Sequence, residues 1–281
     1  MNETPFLLQR EAFALFAVAH EPVGPSSGDV FVFVHPLAEE KLWTHRVFVV
    51  YARQLAARGH AVLRFDLMGN GDSDGNFSEC SVDSAIADIR GAVSEAKRRW
   101  NARSVNLLGL RFGATLAALT AERSDDIDRL ILWAPIVDGE RYMQELLRTN
   151  LATQTAVYKE VRYDRVELVG QMHDGATVNV DGYAMAYPMY SQAAAIKLIE
   201  SPKQHQGRCL ITQIERQPGR PVDELQRLAA SYPNAVVGFA MEEPFWKEIA
   251  KSYLRQASSL FATTTSWLES TPADASAPPA R

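Results

Sequence analysis

Short apolar segments and longer amphipathic segments alternate along most of this chain, and this alternation is the feature that most restricts its fold. Strand-like runs rich in β-branched and aromatic residues occupy residues 13–18, 29–35, 61–65, 104–108, 129–133, 209–214 and 235–240. Helical spacing of apolar residues marks residues 42–58, 82–100, 112–121, 221–230 and 245–261. Strands alternating with helices predict βαβ units, and therefore an α/β fold with a mostly parallel central sheet flanked by helices.

The alternation stops between residues 138 and 205, where the sequence is polar and is interrupted by Gly170, Gly175 and Gly182. This stretch is too long for a simple loop, so we predict a cap or lid insertion. The predicted core therefore comprises residues 1–137 and 206–263, and the cap comprises residues 138–205. Residues 264–281 are predicted to form a disordered C-terminal tail, because their last part is rich in Pro, Ala and Ser.

Composition excludes several classes of function. The 281 residues carry a formal net charge of −5 and no basic stripe, which argues against a nucleic-acid partner. Cys80 and Cys209 are the only cysteines, and no metal-ligand spacing occurs, so neither a metal nor another cofactor is predicted. No apolar run approaches the ~20 residues that cross a bilayer, and the N-terminus lacks the order of a secretory signal. We expect a cytoplasmic protein without a membrane span.

The sequence Gly109-Leu110-Arg111-Phe112-Gly113 follows a predicted strand and opens a predicted helix. This is the frame of the G-x-S-x-G nucleophile elbow, a turn so tight that side chains at the two glycine positions would collide with backbone. Arg111 occupies the position of the nucleophile. The frame predicts that the elbow is formed and that Arg111 projects from it.

Two further segments accompany this turn. Residues 66–75, with the sequence DLMGNGDSDG, follow a strand and form a glycine-rich loop. His35-Pro36 ends another strand, and Leu37 carries the next backbone N–H of the loop that follows. Pro36 has no N–H and fixes its φ angle, which stiffens this loop.

The order and spacing of these segments, over residues 29–135, resemble the α/β-hydrolase superfamily. The runs HPLAEEKLWTHRVF, DLMGNGDSDG, GLRFGA and VNVDGYAM are similar to the second type of the hydrolases associated with the exosortase A system. The resemblance implies an α/β-hydrolase fold. Such hydrolases commonly have His-Gly at the place of His35-Pro36, and the backbone N–H of Leu37 is the expected donor to an oxyanion hole. The resemblance also implies a bacterial setting near exopolysaccharide and protein-sorting genes.

The catalytic residues of a serine hydrolase do not all have counterparts. The fold requires a nucleophile, an acid and a histidine in that order. A guanidinium is a donor only and cannot attack a carbonyl, so Arg111 cannot replace serine. The loop after the last predicted strand contains no histidine, and only the acid has a candidate, Glu215. Ordinary serine hydrolase chemistry is therefore not expected.

The environment of Arg111 has three interpretations. Loops that this fold brings to one rim carry glutamates, which are Glu39, Glu40, Glu215, Glu242 and Glu243. Arg111 either forms an internal ion pair with one of them, or binds an anionic ligand bidentately, or has an unfamiliar catalytic role. The predicted pocket residues are Leu37, Glu39, Glu40, Arg111, Phe112 and Trp246.

These observations lead to competing functions. The first is a degenerate hydrolase that binds a small acyl or anionic ligand, or a partner, without turnover. The alternative is an active hydrolase or acyl transferase for esters or thioesters, with Arg111, Glu40, Glu215 and Glu243 as the candidate catalytic residues. A third interpretation, a scaffold in exopolysaccharide assembly, predicts an exposed apolar patch on the cap. A homodimer or another protein partner is left open.

Overall fold

The computed structural model describes residues 2–10, 12–217, 219–247 and 256–270. The strands in these residues are β1 (Glu3–Arg10), β2 (Phe13–His20), β3 (Asp29–Val34), β4 (Ala61–Phe65), β5 (Ser104–Leu110), β6 (Arg129–Trp133), β7 (Val178–Val180), β8 (Tyr183–Met185), β9 (Arg208–Glu215) and β10 (Ala235–Met241). The α-helices are α1 (Glu40–Ala57), α2 (Val82–Trp100), α3 (Phe112–Ala121), α4 (Gly139–Tyr158), α5 (Arg165–His173), α6 (Tyr187–Ala194), α7 (Asp223–Ala230) and α8 (Ser258–Glu269).

Eight strands form one sheet in the order β1-β2-β4-β3-β5-β6-β9-β10. Strands β3, β4, β5, β6, β9 and β10 are parallel, whereas β1 and β2 add an antiparallel edge. This mostly parallel sheet confirms the predicted α/β fold class.

Apolar layers cover both faces of the sheet. Along β3, Val30, Val32 and Val34 pack in the layer that includes α2 and α3. Phe31 and Phe33, which alternate with them, pack in the layer that includes α1 and α8. A strand buried on both faces carries a continuous apolar run, which is why β3 reads VFVFV after its first residue, Asp29.

The segment between β6 and β9 contains α4, α5, the β7–β8 hairpin and α6. Asp138 begins this segment by accepting a hydrogen bond from the backbone N–H of Arg141 at 3.0 Å, which caps the N-terminus of α4. Two aromatic contacts join the segment to the core, namely Tyr142 with Phe112 at 5.3 Å and Tyr183 with Phe77 at 5.1 Å between ring centroids. We refer to this segment as the cap.

Three expectations require correction. Strand β1 was not predicted, because its residues alternate polar and apolar only weakly and most are partly exposed at the sheet edge. The tail predicted from residue 264 was wrong for residues 264–269, which belong to α8. Thr264 is buried there and accepts a hydrogen bond from the indole of Trp133 at 3.0 Å. Despite its threonines and serine, this segment is therefore helical and packs against the sheet. The last helix predicted from residue 245 was wrong for residues 245–247, which form a turn, and α8 begins only at Ser258. Residues 248–255 of that predicted helix, and residues 271–281 of the tail, lie outside the described residues.

None of the described helices combines the length and the apolar character that crossing a membrane requires.

Candidate functional site

The turn between β5 and α3 has the backbone of a nucleophile elbow. Arg111 adopts φ 54° and ψ −124°, and its backbone N–H donates to the carbonyl of Trp133 at 2.9 Å. Gly113 packs closely against the end of the neighbouring strand β3. A Cβ at this position would collide with the carbonyl oxygens of Val34 and His35. A positive φ at a residue that is not glycine costs about 1–3 kcal/mol, so the surrounding packing must hold this conformation in place.

The side chain of Arg111 is largely buried and is paired. Its Nε donates to Oε1 of Glu40 at 3.1 Å, and its terminal nitrogen lies 3.6 Å from Oε2 of Glu145. The other oxygen of Glu40, Oε2, accepts from the hydroxyl of Tyr142 at 3.1 Å. Lys247 in turn pairs with Oε1 of Glu145 at 2.9 Å. We call these five residues, Glu40, Arg111, Tyr142, Glu145 and Lys247, the elbow cluster.

Aromatic rings enclose the guanidinium of Arg111. Its central carbon lies 5.0 Å from the ring centroid of Trp246 and 5.5 Å from that of Tyr142, which are cation–π distances. Phe112 stacks beneath Tyr142 and is fully buried. The positive charge is therefore compensated by carboxylates on one side and by aromatic faces on the others.

Burial and ion pairing shift the pKa values of the acids in the elbow cluster in opposite directions. Burial raises the pKa of Glu40, although Arg111 and Tyr142 counteract it through Coulombic attraction and hydrogen bonds. Burial raises the pKa of Glu145 less strongly than Lys247 and Arg111 lower it, so its pKa falls below the usual value. Burial lowers the pKa of Arg111, but Glu40, Tyr142 and Glu145 together outweigh that effect and the guanidinium stays protonated. Arg111 is a permanent cation with acidic partners.

Two cavities flank the elbow cluster. The first has a volume of about 320 Å³ and is lined by residues from the β3–α1 loop, α4, the β7–β8 hairpin and Trp246. The second has a volume of about 310 Å³ and is lined by Arg111, the β6–α4 segment, the end of β9 and the start of α7. Tyr142, Glu145 and Trp246 line both cavities and so form the wall between them.

The structure separates the residues predicted for the site. Leu37, Glu39 and Glu40 line the first cavity, Arg111 and Glu215 line the second, and Trp246 lines both. Phe112 lines neither cavity, because it is buried below Tyr142.

The two glutamates that follow β10 do not pair with Arg111. Glu243 forms an ion pair with Arg216, and Glu242 accepts a hydrogen bond from the backbone N–H of Ser259 at 2.7 Å. The chain after β10 turns towards β9 and α8. This turn explains why these two glutamates do not pair with Arg111, although their position in the fold suggested the same rim.

Sequence reasoning missed Tyr142, Glu145 and Lys247. The first two lie one turn apart on α4, where they face the same direction with Thr149. Their helical spacing was visible in the sequence, but nothing in it indicated that this face of the cap meets the elbow. Lys247 lines the first cavity and pairs with Glu145, two contacts that its place in the sequence did not indicate.

All six histidines of the chain fall in the described residues, and none lines either cavity of the elbow cluster. His35 is buried and stacks on Phe48 at 4.4 Å between ring centroids. The thiols are also unsuited to chemistry, because burial raises the pKa of Cys80 to about 12 and raises that of Cys209 as well. Among the described residues, no group of three or more His, Cys, Asp or Glu side chains could hold a metal ion.

The parallel sheet, the elbow at the end of β5 and the cap inserted after β6 define an α/β-hydrolase. A sequence profile described as serine aminopeptidase, S33 matches residues 26–197. This range is more than half of the chain, and the chain therefore belongs to that family of α/β-hydrolases.

Solved structures share the fold at low sequence identity. Est1E from Butyrivibrio proteoclasticus, with ferulic acid bound, is 17% identical with a TM-score of 0.71, over 94% of this chain and 97% of that chain. Mouse alpha/beta hydrolase domain-containing protein 10 is 16% identical with a TM-score of 0.58, over 95% of this chain and 98% of that chain. A thioesterase domain from the curacin biosynthetic pathway is 16% identical with a TM-score of 0.58, over 95% of this chain and 99% of that chain. No curated protein matches the chain significantly.

Proposed function

We propose that this chain is an α/β-hydrolase that has lost serine hydrolase catalysis and binds a small acyl ligand in the first cavity without turning it over. The observation that carries the proposal is the pairing of Arg111 with Glu40 at the nucleophile position of the elbow. A guanidinium cannot attack a carbonyl, and none of the histidines lines the cavities beside it. Nucleophile and base act as a unit, so losing both removes most of the catalytic power.

The charge of the first cavity favours a neutral acyl group over a small anion. Its lining includes the acidic residues Glu39, Glu40, Glu145 and Asp181 but only one cation, Lys247. Arg111 is engaged by Glu40 and Glu145, so its charge is not available to an incoming carboxylate. Trp43, Tyr142 and Trp246 supply aromatic faces for apolar contact.

The alternative, an active enzyme based on glutamates, has one supporting observation. Burial raises the pKa of Glu40, which is a property of general acids and bases. Against it, both oxygens of Glu40 are already hydrogen-bonded, one to Arg111 and one to Tyr142. Glu215 lines the other cavity and Glu243 pairs with Arg216, so the proposed constellation is dispersed.

Binding to a matched pair of probes tests the proposal. Est1E has ferulic acid bound, and ethyl ferulate and ferulate carry the same acyl group, the first as a neutral ester and the second as an anion. We expect calorimetry to show binding of ethyl ferulate and about tenfold or more weaker binding of ferulate. Chromatography of the same samples should show no hydrolysis of the ester above the buffer background.

Two substitutions on α4 locate the binding site. Thr149 is half-buried and lines the first cavity, whereas Thr155 is exposed on the same helix. Thr149→Trp should fill the cavity and abolish binding, and Thr155→Trp should leave binding unchanged. Hydrolysis of ethyl ferulate that disappears in Glu40→Gln would establish the alternative and refute our proposal.

Attachment to a partner is a second candidate function, favoured by the cap surface. Apolar side chains are exposed at the junction of α4 and α5, namely Val157, Tyr158, Val161, Tyr163 and Val166. Such a patch is typical of a contact surface with a second copy or another protein. Light scattering after size exclusion should then show an assembly that Val161→Asp dissociates, and a monomer in both forms would refute contact between copies.

We also propose that the protein acts in exopolysaccharide production. The support is the resemblance of the four runs given above to exosortase-associated hydrolases. Deleting the gene in the bacterium that encodes it should reduce or alter the secreted polysaccharide, and an unchanged polysaccharide would contradict this assignment.

A further inference from the structure

Arg64 on β4 is a second buried arginine, and its partners differ from those of Arg111. Only 7% of Arg64 is exposed. Among the described residues its guanidinium makes one hydrogen bond, from Nε to Nε2 of His20 at 2.9 Å, and no salt bridge. Burial, followed by the charge of Arg64, lowers the pKa of His20 to about 4, so this histidine is neutral near pH 7. The hydrogen bond to a neutral imidazole therefore does not neutralise the charge of Arg64.

The acids nearest to Arg64 are already occupied by other cations. Glu3 accepts two hydrogen bonds from Arg53, at 2.5 and 3.0 Å. Asp66 pairs with Lys41 at 2.6 Å between Oδ1 and Nζ. Gly71 allows this close pair, because a Cβ there would collide with the carboxylate of Asp66 and the ammonium of Lys41. Both acids attract Arg64 through space, but neither forms a salt bridge with it.

Arg64 lines a separate cavity of about 190 Å³. The cavity lies between β2, β4 and the first turns of α1, and it shares no lining residue with the two cavities of the elbow cluster. Its titratable and charged lining residues are His35, Lys41, His45, Arg64, Asp66 and Asp72. His35 is buried with Nδ1 unpartnered among the described residues, and His45 is exposed at the cavity's edge.

A buried guanidinium with its terminal nitrogens unpaired is a strong binding site for an oxyanion. Such a charge is unfavourable in a buried position without a bound counter-ion, whereas two parallel hydrogen bonds to a phosphate or carboxylate stabilise it. The imidazole N–H groups of His35 and His45 are further donors, and Lys41 adds positive charge beside Asp66. Asp72 is exposed, so water screens its repulsion of an anion.

We propose that the cavity formed by Arg64, His35, His45 and Lys41 is a binding site for a small oxyanion, a phosphate, sulfate or carboxylate group. The site is distinct from the elbow cluster and does not depend on the function proposed for it. Arg64 binds two oxygens of the anion, and His45 closes the solvent side. Glu3 is paired with Arg53 and Asp66 is paired with Lys41, so neither forms a salt bridge with Arg64. The bound anion supplies that negative charge instead.

Histidine NMR spectra of the full chain test this site. Sodium phosphate or sodium acetate is titrated at constant ionic strength and about pH 7.5, where unperturbed imidazoles are mostly neutral. The ring signals of His35 and His45 should shift and saturate, while that of His173, whose side chain is 68% exposed on the cap, should not. A response to only one of the two salts identifies the anion class.

Three variants separate binding from folding. Arg64→Gln should weaken binding by about tenfold or more, measured at His35. His45→Asp changes only an exposed residue at the cavity edge and should weaken binding similarly. Arg46→Asp changes a neighbouring exposed residue outside the cavity and should change the dissociation constant less than about twofold. No saturable shift with either salt, or equal binding by Arg64→Gln and wild type, would overturn the proposal.

Discussion

The guanidinium of Arg111 and the carboxylate of Glu40 form a buried ion pair, with Nε 3.1 Å from Oε1 and only 13% and 12% of the two side chains exposed. Removing Glu40 leaves the largely buried charge of Arg111 with only the more distant carboxylate of Glu145, at 3.6 Å. We therefore expect Glu40→Gln to lower the free energy of unfolding by about 3 kcal/mol, measured by urea denaturation.

The pair between Arg141 and Glu224 provides a matched control, because it has the same chemistry but its side chains are 62% and 43% exposed. Glu224→Gln should cost less than about 1 kcal/mol. Equal losses in the two variants would mean that the pair at the elbow contributes no more than a surface salt bridge.

The glycine frame of the elbow should be intolerant of any side chain. Gly113→Ala places a methyl group against the carbonyl oxygens of Val34 and His35, so we expect a loss of about 2–3 kcal/mol or failure to fold. Gly170 lies inside α5 with open space around its Cβ position. Gly170→Ala should therefore stabilise the protein by about 0.5–1 kcal/mol. A tolerated Gly113→Ala would show that β3 and α3 do not approach as closely as described.

The pairing of His20 with Arg64 should make stability depend on pH. Burial and the neighbouring Arg64 lower the pKa of His20 from 6.5 to about 4, so between these values the unfolded chain binds more protons than the folded chain. Stability from this group is complete above about pH 6.5 and is lost as the pH falls towards 4. The loss between pH 7 and pH 5 should be on the order of 1–2 kcal/mol.

Urea midpoints at pH 7 and pH 5, compared between wild type and His20→Gln, isolate this contribution from that of the carboxylates. The substituted protein should lose less stability on acidification than wild type. The same pH dependence in both proteins would show that His20 is protonated in the folded state at pH 5, contrary to its environment.

Elements with local boundary signals could be predicted from the sequence. Helix α2 spans residues 82–100 as expected, because Ser81 caps its N-terminus through the N–H of Ser84 and Asn101 ends it in the left-handed conformation. The elbow could be predicted for the same reason, since Gly109 and Gly113 mark it locally. Strand β1 lacks such signals, and its pairing with β2 is a tertiary property.

The residues of the candidate site likewise divide into those that the sequence could predict and those that it could not. Arg111 and Glu40 could be placed together, because both follow core strands whose carboxyl ends meet at one edge of the sheet. Tyr142 and Glu145 could not, because the orientation of α4 over the elbow depends on packing between the cap and Phe112. Arg64 carried no signal at all within the strand AVLRF, and only the structure shows that its guanidinium lacks an acidic partner.

The most direct test of the central proposal is the rate of p-nitrophenyl butyrate hydrolysis by wild type and by Arg111→Ser, with a serine esterase as positive control. The substitution restores a hydroxyl at the elbow, but none of the histidines lines the cavities around it. Both proteins should hydrolyse the ester at the rate of the buffer background. A gain of about 100-fold or more in Arg111→Ser would contradict the account, because it would require a catalytic base beside residue 111.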